Sequence, residues 1–345
     1  MQVLGEASGR ELWASAGQRT SYLPYRRLLL SPARIKELSR LRPSRALTDL
    51  AICWAYILAG FWMVSIHPAW WTVLLAIPVI GNRYYAAFII GHDGMHRRLL
   101  PNIKRNDFWN DALVLAPLGA ITRLNNRNHL AHHLYLGKSH DPDRHKHGCF
   151  NKGDRVRLLG FLSGLTSVWN SAIAVFVNRG STDQKNQQGK DSTHLSSDSY
   201  KLRDFVLLAC WFVALAGGLT WFIGWWAYPV LWLFPVYVFM YLGDNLRSFA
   251  EHSHPEGDEL ADHHRLITFL SFPLERMFVA PMNMNYHTVH HLWPSIPYYN
   301  LPIADREIRC SAETLGLEWR GSYLAYLIRY WNALPIAECL SHDHR

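Results

Sequence analysis

The sequence predicts an all-α membrane protein: four transmembrane helices arranged as two hairpins, with a cytoplasmic helical cap that carries a histidine-rich metal site. Three observations predict it. Apolar residues make up 49% of the 345 positions, yet the mean hydropathy is only -0.07, so the apolar residues are bunched into runs of bilayer-crossing length. The runs come as two pairs, each joined by a short turn. The chain also has 19 histidines, and nine of them fall into a pattern beyond the apolar runs, eight in three close-spaced groups and His252 after the fourth run.

The elements follow in order. The first 45 residues are polar and basic apart from a short Leu28-Leu29-Leu30 run and show no cleavable signal. The first hairpin is Asp49 to Ile66 and Ala69 to Ile90, joined by His67-Pro68; the second is Phe205 to Trp226 and Pro229 to Gly243, joined by Ala227-Tyr228. Both turns lie among tryptophans and lack Lys and Arg. The opposite ends carry Arg34, Lys36, Arg40, Arg42 and Arg45, then Arg97, Arg98, Lys104 and Arg105. The positive-inside rule therefore turns both hairpin tips away from the cytoplasm, and the chain reads as multi-pass with both termini and every polar segment cytoplasmic. The formal charge of +8 holds loops on that side; no basic run with interleaved aromatics points to nucleic acid.

A fifth apolar run, Leu158 to Val177, is long enough to span, but a crossing there would put the histidine groups before and after it on opposite faces. It is read as an interfacial or re-entrant helix. Ala112 to Ile121 is too short to cross, and Gly180 to Ser199 reads as a polar loop. The expected organisation is one domain over 1–345: an N-terminal segment 1–47, a membrane and histidine core 48–302, and a C-terminal segment 303–345. The five scattered cysteines suggest neither a disulfide framework nor a Cys-x-x-Cys pair.

The second and fourth spans each run through polar residues, Asn82-Arg83 and Asp244-Asn245 with Arg247, and continue toward a histidine. Helices that pass the headgroups would project His92 and His252 to comparable heights. The first group is His92-Asp-Gly-Met-His96, the second His129-Leu-Ala-His132-His133, and the last His287-Thr-Val-His290-His291. Helical residues three and four apart share a face, so each group aims its rings at one point. Imidazole suits Fe, Zn, Cu and Ni. A structural zinc takes about four ligands, so nine candidates suit two metals, each with an open position. Two irons that bind O2 are the reading with the most chemistry behind it.

The boxes HDGMH, HLAHH and HTVHH, in that order and between two hairpins, resemble those of the integral-membrane fatty acid desaturase and hydroxylase superfamily. The resemblance runs from about Leu50 to Pro302. It implies a non-haem di-iron enzyme with O2 as co-substrate and its active site at the cytoplasmic membrane face. Carried over residue by residue, the metal ligands are His92, His96, His129, His132, His133, His287, His290 and His291. His252 stands where the family supplies an extra ligand, with His254, His263 and His264 as rivals. HDGMH, His140-Asp-Pro-Asp143 and the run after the third box are also similar to carotenoid ketolases. His254-Pro-Glu-Gly does not match the haem signature of a fused cytochrome b5, so a separate electron donor of ferredoxin or cytochrome b5 type is expected.

Neutral imidazoles leave a metal's charge uncompensated, so carboxylates should orient their ring N–H groups. Asp93 and Glu251 rank first because each neighbours a ligand in sequence; Asp141, Asp143 and Asp262 are the other candidates. The expected activity is oxygen-dependent desaturation of a fatty acyl chain, an apolar lipid substrate that enters from the bilayer or a carrier. The alternative is hydroxylation or ketolation of a lipid or carotenoid. A metal transporter and a b-type cytochrome are the readings from other classes.

Overall fold

A computed structural model describes residues 26–138, 140–144, 155–165, 200–254, 265–312 and 317–334. Outside them lie most of the fifth apolar run (166–177), the 180–199 loop, Asp262, His263 and His264. In the described residues the chain is mostly helical. Helices α1 (Arg26–Leu29) and α2 (Pro32–Leu38) lead into α3 (Pro43–Ile66) and α4 (Trp70–Met95). Then come α5 (Ile103–Asn110), α6 (Thr122–Tyr135), α7 (Arg155–Leu162), α8 (Leu202–Phe222) and α9 (Leu242–His252). The remaining elements are β1 (Ile267–Phe269), α10 (Pro273–Val279), α11 (His287–Leu292), α12 (Leu301–Ala312), β2 (Glu318–Arg320) and α13 (Tyr323–Ala333).

Among the described residues three helices, α3, α4 and α8, are long and apolar enough to cross a membrane. Proline at the first position of α3 suits a helix start, where an N–H has no partner anyway. Pro68 disfavours helical backbone at His67 and so ends α3. The Thr72 hydroxyl donates to the carbonyls of His67 and Ala69, closing the turn into α4. The two helices pack through Ile57, Val64, Ala76 and Ile80, all fully buried. Gly60 permits this approach, since a Cβ there would lie 3.1 Å from Ile80 Cγ1. Trp62, Trp70, Leu74, Phe212, Val213 and Trp221 point outward and exposed, which suits lipid rather than water.

The fourth apolar stretch is helical but wide: two π-helical segments, Pro229–Leu233 and Val236–Tyr241, lead into α9. It closes on α4 at Gly81, where a Cβ would lie 2.7 Å from the Pro235 carbonyl oxygen. A π turn leaves backbone partners out of the usual i to i−4 ladder and commonly sits near a functional site. Here the widened rod delivers His252.

Beyond Ile80 almost every residue of α4 is buried, from Tyr84 to Met95. The helix therefore continues from the outward-facing zone into protein, as its polar Asn82-Arg83 pair suggests. The fifth apolar run begins within α7, which ends at Leu162; Gly164, at φ +71°, turns the chain under Tyr241.

Among the described residues the all-α expectation departs at one strand pair. β1 and β2 form a parallel pair with Ile267 opposite Glu318 and Phe269 opposite Arg320. Runs of three residues are too short to be read from a period-two pattern. The crossover between them holds α10, α11 and α12, so the third box sits inside a closed unit tied to the C-terminal segment.

Candidate metal centre

Four elements bring the histidines together. His92 rides on the last turn of α4, with His96 at its C-cap. His129, His132 and His133 lie on α6, His252 ends α9, and α11 presents His287, His290 and His291. They form two groups: His92, His96, His129, His133 and His290 in one, and His132, His252, His287 and His291 in the other. Within each group the ligand nitrogens lie within 4.8 Å of one another. Each of the nine histidines expected as ligands falls in one of the two groups. The adjacent pairs His132-His133 and His290-His291 divide between them, because neighbours on a helix point about 100° apart.

In the first group, His96 Nε2 lies 2.7 Å from His129 Nε2, which is 3.1 Å from His133 Nε2, which is 3.2 Å from His290 Nε2. In the second, His287 Nε2 lies 3.0 Å from His252 Nε2 and 2.9 Å from His291 Nε2. An imidazole nitrogen has one proton or one lone pair in the ring plane. Two close partners cannot both be well served by it, whereas a cation between the rings takes every lone pair at once. Metal–imidazole bonds of about 2.1 Å that meet at right angles would place neighbouring ligands about 3.0 Å apart, near the spacing of 2.7 to 3.2 Å seen here. His92 Nδ1 is also buried with no hydrogen-bond partner. The residues fit a pair of metal ions.

Burial, reinforced by neighbouring rings, holds His133, His290 and His291 well below the ordinary imidazole range. Burial does the same at His287, with the Arg247 cation the next cause. All four are neutral at pH 7, the form that ligates.

Two far nitrogens of the four-histidine group have partners of their own. His132 Nδ1 lies 3.0 Å from Asp141 Oδ1, and the Asp141 carboxylate also accepts the N–H groups of Gly137 and Asp143. His252 Nδ1 lies 2.8 Å from the Arg265 carbonyl oxygen, which fixes the proton on Nδ1 and leaves Nε2 for a metal. Glu251, fully buried, places Oε2 3.7 Å from His287 Nδ1 and 2.6 Å from Arg247 Nη1, and accepts from the Tyr323 hydroxyl at 2.6 Å. Asp93 Oδ2 accepts the Tyr298 backbone N–H at 2.7 Å. It joins the first box to the segment after the third.

Sequence adjacency alone did not single out Asp141, which reaches His132 because the chain turns back after α6. Arg247 and Tyr323 carried no motif signal at all. The only available hint for Arg247 was a cation four residues before an acid on one helix face.

The sequence profile of the family described as fatty acid desaturase matches residues 68–323, a stretch that holds all nine histidines. The chain is also similar to dihydrorhizobitoxine desaturase of Bradyrhizobium elkanii, at 28% identity over 292 residues, covering 79% of this chain and 78% of that protein. Helices of membrane-crossing length, the two imidazole groups beyond them and a profile match over most of the sequence agree, and this chain belongs to the fatty acid desaturase family.

Proposed function

We propose that this protein is an oxygen-dependent di-iron oxidoreductase of the membrane that desaturates a fatty acyl chain. The single observation that carries the reading is the convergence of nine imidazoles into two adjacent groups. A b-type cytochrome needs pairs of axial rings rather than groups of four and five. A transporter keeps its ionisable residues along a mid-membrane path, and here the histidines stand at the ends of α4 and α9 and on the shorter helices α6 and α11. The protein is one domain with four spans, the fourth being the widened rod before α9, and its termini and centre face the cytoplasm.

When bound, two irons supply what no side chain has: activation of O2 for removal of hydrogen from an unactivated methylene. The chain does the rest. The nine histidines hold the metals with neutral nitrogens. Asp141 and the Arg265 carbonyl set the ring orientation and tautomer of His132 and His252. Glu251 sits behind His287, and Asp93 braces the Tyr298 segment against the first box. Burial of the rings excludes water, which favours reaction with substrate over side reactions. Electrons come from a separate ferredoxin or cytochrome b5 type of protein.

The test is expression in a host of known lipid composition together with a reductase system, then mass spectrometry of the extract. Loss of two hydrogens from an acyl chain supports desaturation. A gain of one oxygen assigns hydroxylation instead, and a gain of one oxygen with loss of two hydrogens assigns ketolation. The relative is named for a substrate of its own, dihydrorhizobitoxine, so the survey covers the aqueous as well as the lipid fraction. Full activity after chelation of iron would refute the di-iron reading.

A further inference from the structure

His287 turns Nε2 toward His252 and His291, so a metal bound there leaves the ring proton on Nδ1. Three groups surround that nitrogen. Arg247 Nη1, at 3.3 Å, is a donor and cannot accept it. Met284 Sδ, at 3.4 Å, is a weak acceptor. Glu251 Oε2, at 3.7 Å, is the carboxylate within reach, less than an ångström from hydrogen-bonding distance.

What keeps that oxygen facing the ring is the question, because Arg247 competes for it. The guanidinium is buried and already held, with Nη2 2.7 Å from Asp244 Oδ1 and Nε 3.3 Å from the Tyr85 hydroxyl. A carboxylate beside a guanidinium tends to turn both oxygens to it in a forked pair. In that arrangement His287 would be left facing a cation, which weakens it as a donor to a second cation. The Tyr323 hydroxyl holds Glu251 Oε1 from the other side at 2.6 Å and blocks the turn.

Tyr323 is itself fixed. It is the first residue of α13; its backbone N–H and that of Leu324 donate to Glu275, and its ring stacks on Phe269 at 4.0 Å. Phe269 in turn exchanges backbone and side-chain hydrogen bonds with Asn285, two residues before His287. The C-terminal helix and the approach to the third box are thus registered against each other.

Building on the metal-centre reading above, we infer that Tyr323 is a positioning residue for the four-histidine metal position, acting through Glu251 on His287. Tyr323→Phe keeps the ring stack and removes the hydroxyl alone. The full chain, purified in detergent and loaded with Co(II), is challenged with a chelator while metal content and the cobalt absorption bands are followed. Outer hydrogen-bond partners of ligating histidines are typically worth about 10–100-fold in metal affinity, and Tyr323→Phe is expected to release one of two metals that much more readily, with one set of bands altered. Glu251→Gln should reproduce the effect. Tyr326→Phe, which removes a hydroxyl bonded to the Ser253 carbonyl from the same helix, should not.

Wild-type release kinetics and spectrum in Tyr323→Phe would overturn the inference alone, as would equal loss of both metals, which marks a general structural role. Wild-type protein that takes up no metal would overturn the metal-centre reading and this inference with it.

Discussion

His290 Nε2 lies 3.2 Å from His133 Nε2, a residue on another helix 157 positions earlier in the chain. That contact joins the third box to the second within the five-histidine group, while their neighbours His291 and His132 serve the other group. Each of these two boxes therefore contributes to both positions. His290→Ala should lower bound metal from about two per chain to about one, since a position short of a ligand loses affinity steeply. Turnover should fall below detection. Metal analysis of purified protein beside an activity assay checks both, and two tightly held metals in the variant would remove His290 from the ligand set.

Asp141 makes a different prediction because it touches a ligand rather than a metal. Its carboxylate takes His132 Nδ1 and two backbone N–H groups at once. Asp141→Asn removes the charge and turns an amide NH2 toward at least one donor. Metal at the four-histidine position should weaken by about 10–100-fold, with the five-histidine position unchanged. A competition titration with a coloured chelator would show one affinity moving and one staying; two that move together would contradict the assignment of Asp141 to His132.

The buried rings set a pH dependence for the metal-free protein. His133, His287, His290 and His291 are held well below the ordinary imidazole value of 6.5 by burial. Below that value the unfolded chain binds protons that the folded chain refuses, so folding stability is present above about pH 6.5 and falls as the pH drops. Each proton of difference is worth about 1.4 kcal/mol per pH unit. The thermal midpoint of the metal-free protein should therefore fall between pH 7.5 and pH 5.5. A midpoint insensitive to pH over that range would mean that the rings are solvated and free to charge.

The histidine groups were legible in the sequence because their chemistry rests on spacing: rings three and four apart share a helix face whatever the fold around them. The three long apolar helices were legible because bilayer thickness sets a length. The partners of the rings were not, since contact across the fold depends on turns that local patterns do not report. Asp93 adjoins His92 in sequence yet bonds the Tyr298 backbone, while Asp141 returns to His132 through a turn. Tyr323 arrives from the C-terminal segment by way of a strand pair too short to predict and a helix cap supplied by Glu275. The π segments of the fourth rod also lay beyond reach, because residues 229–241 are apolar on every side and a widened turn leaves no mark in such a run.

The proposed topology is testable at four exposed positions. Trp70 and Trp225 stand at the two hairpin tips, 75% and 82% exposed, where the absence of Lys and Arg assigns the non-cytoplasmic side. Arg105 and Lys201 are exposed at the opposite ends and flank the fifth apolar run. In a cysteine-free background, Trp70→Cys and Trp225→Cys should react with an impermeant maleimide on intact cells. Arg105→Cys and Lys201→Cys should react only after permeabilisation. The last pair decides the most, because it brackets Leu158 to Val177: if that run crossed the bilayer, Arg105 and Lys201 would label from opposite sides. His129 and His133 on α6 already meet His290 of α11 in one group, so such a crossing would need a second, compensating one before α9. Labelling of Arg105 and Lys201 from the same side, with both tips opposite, is the outcome that two hairpins require.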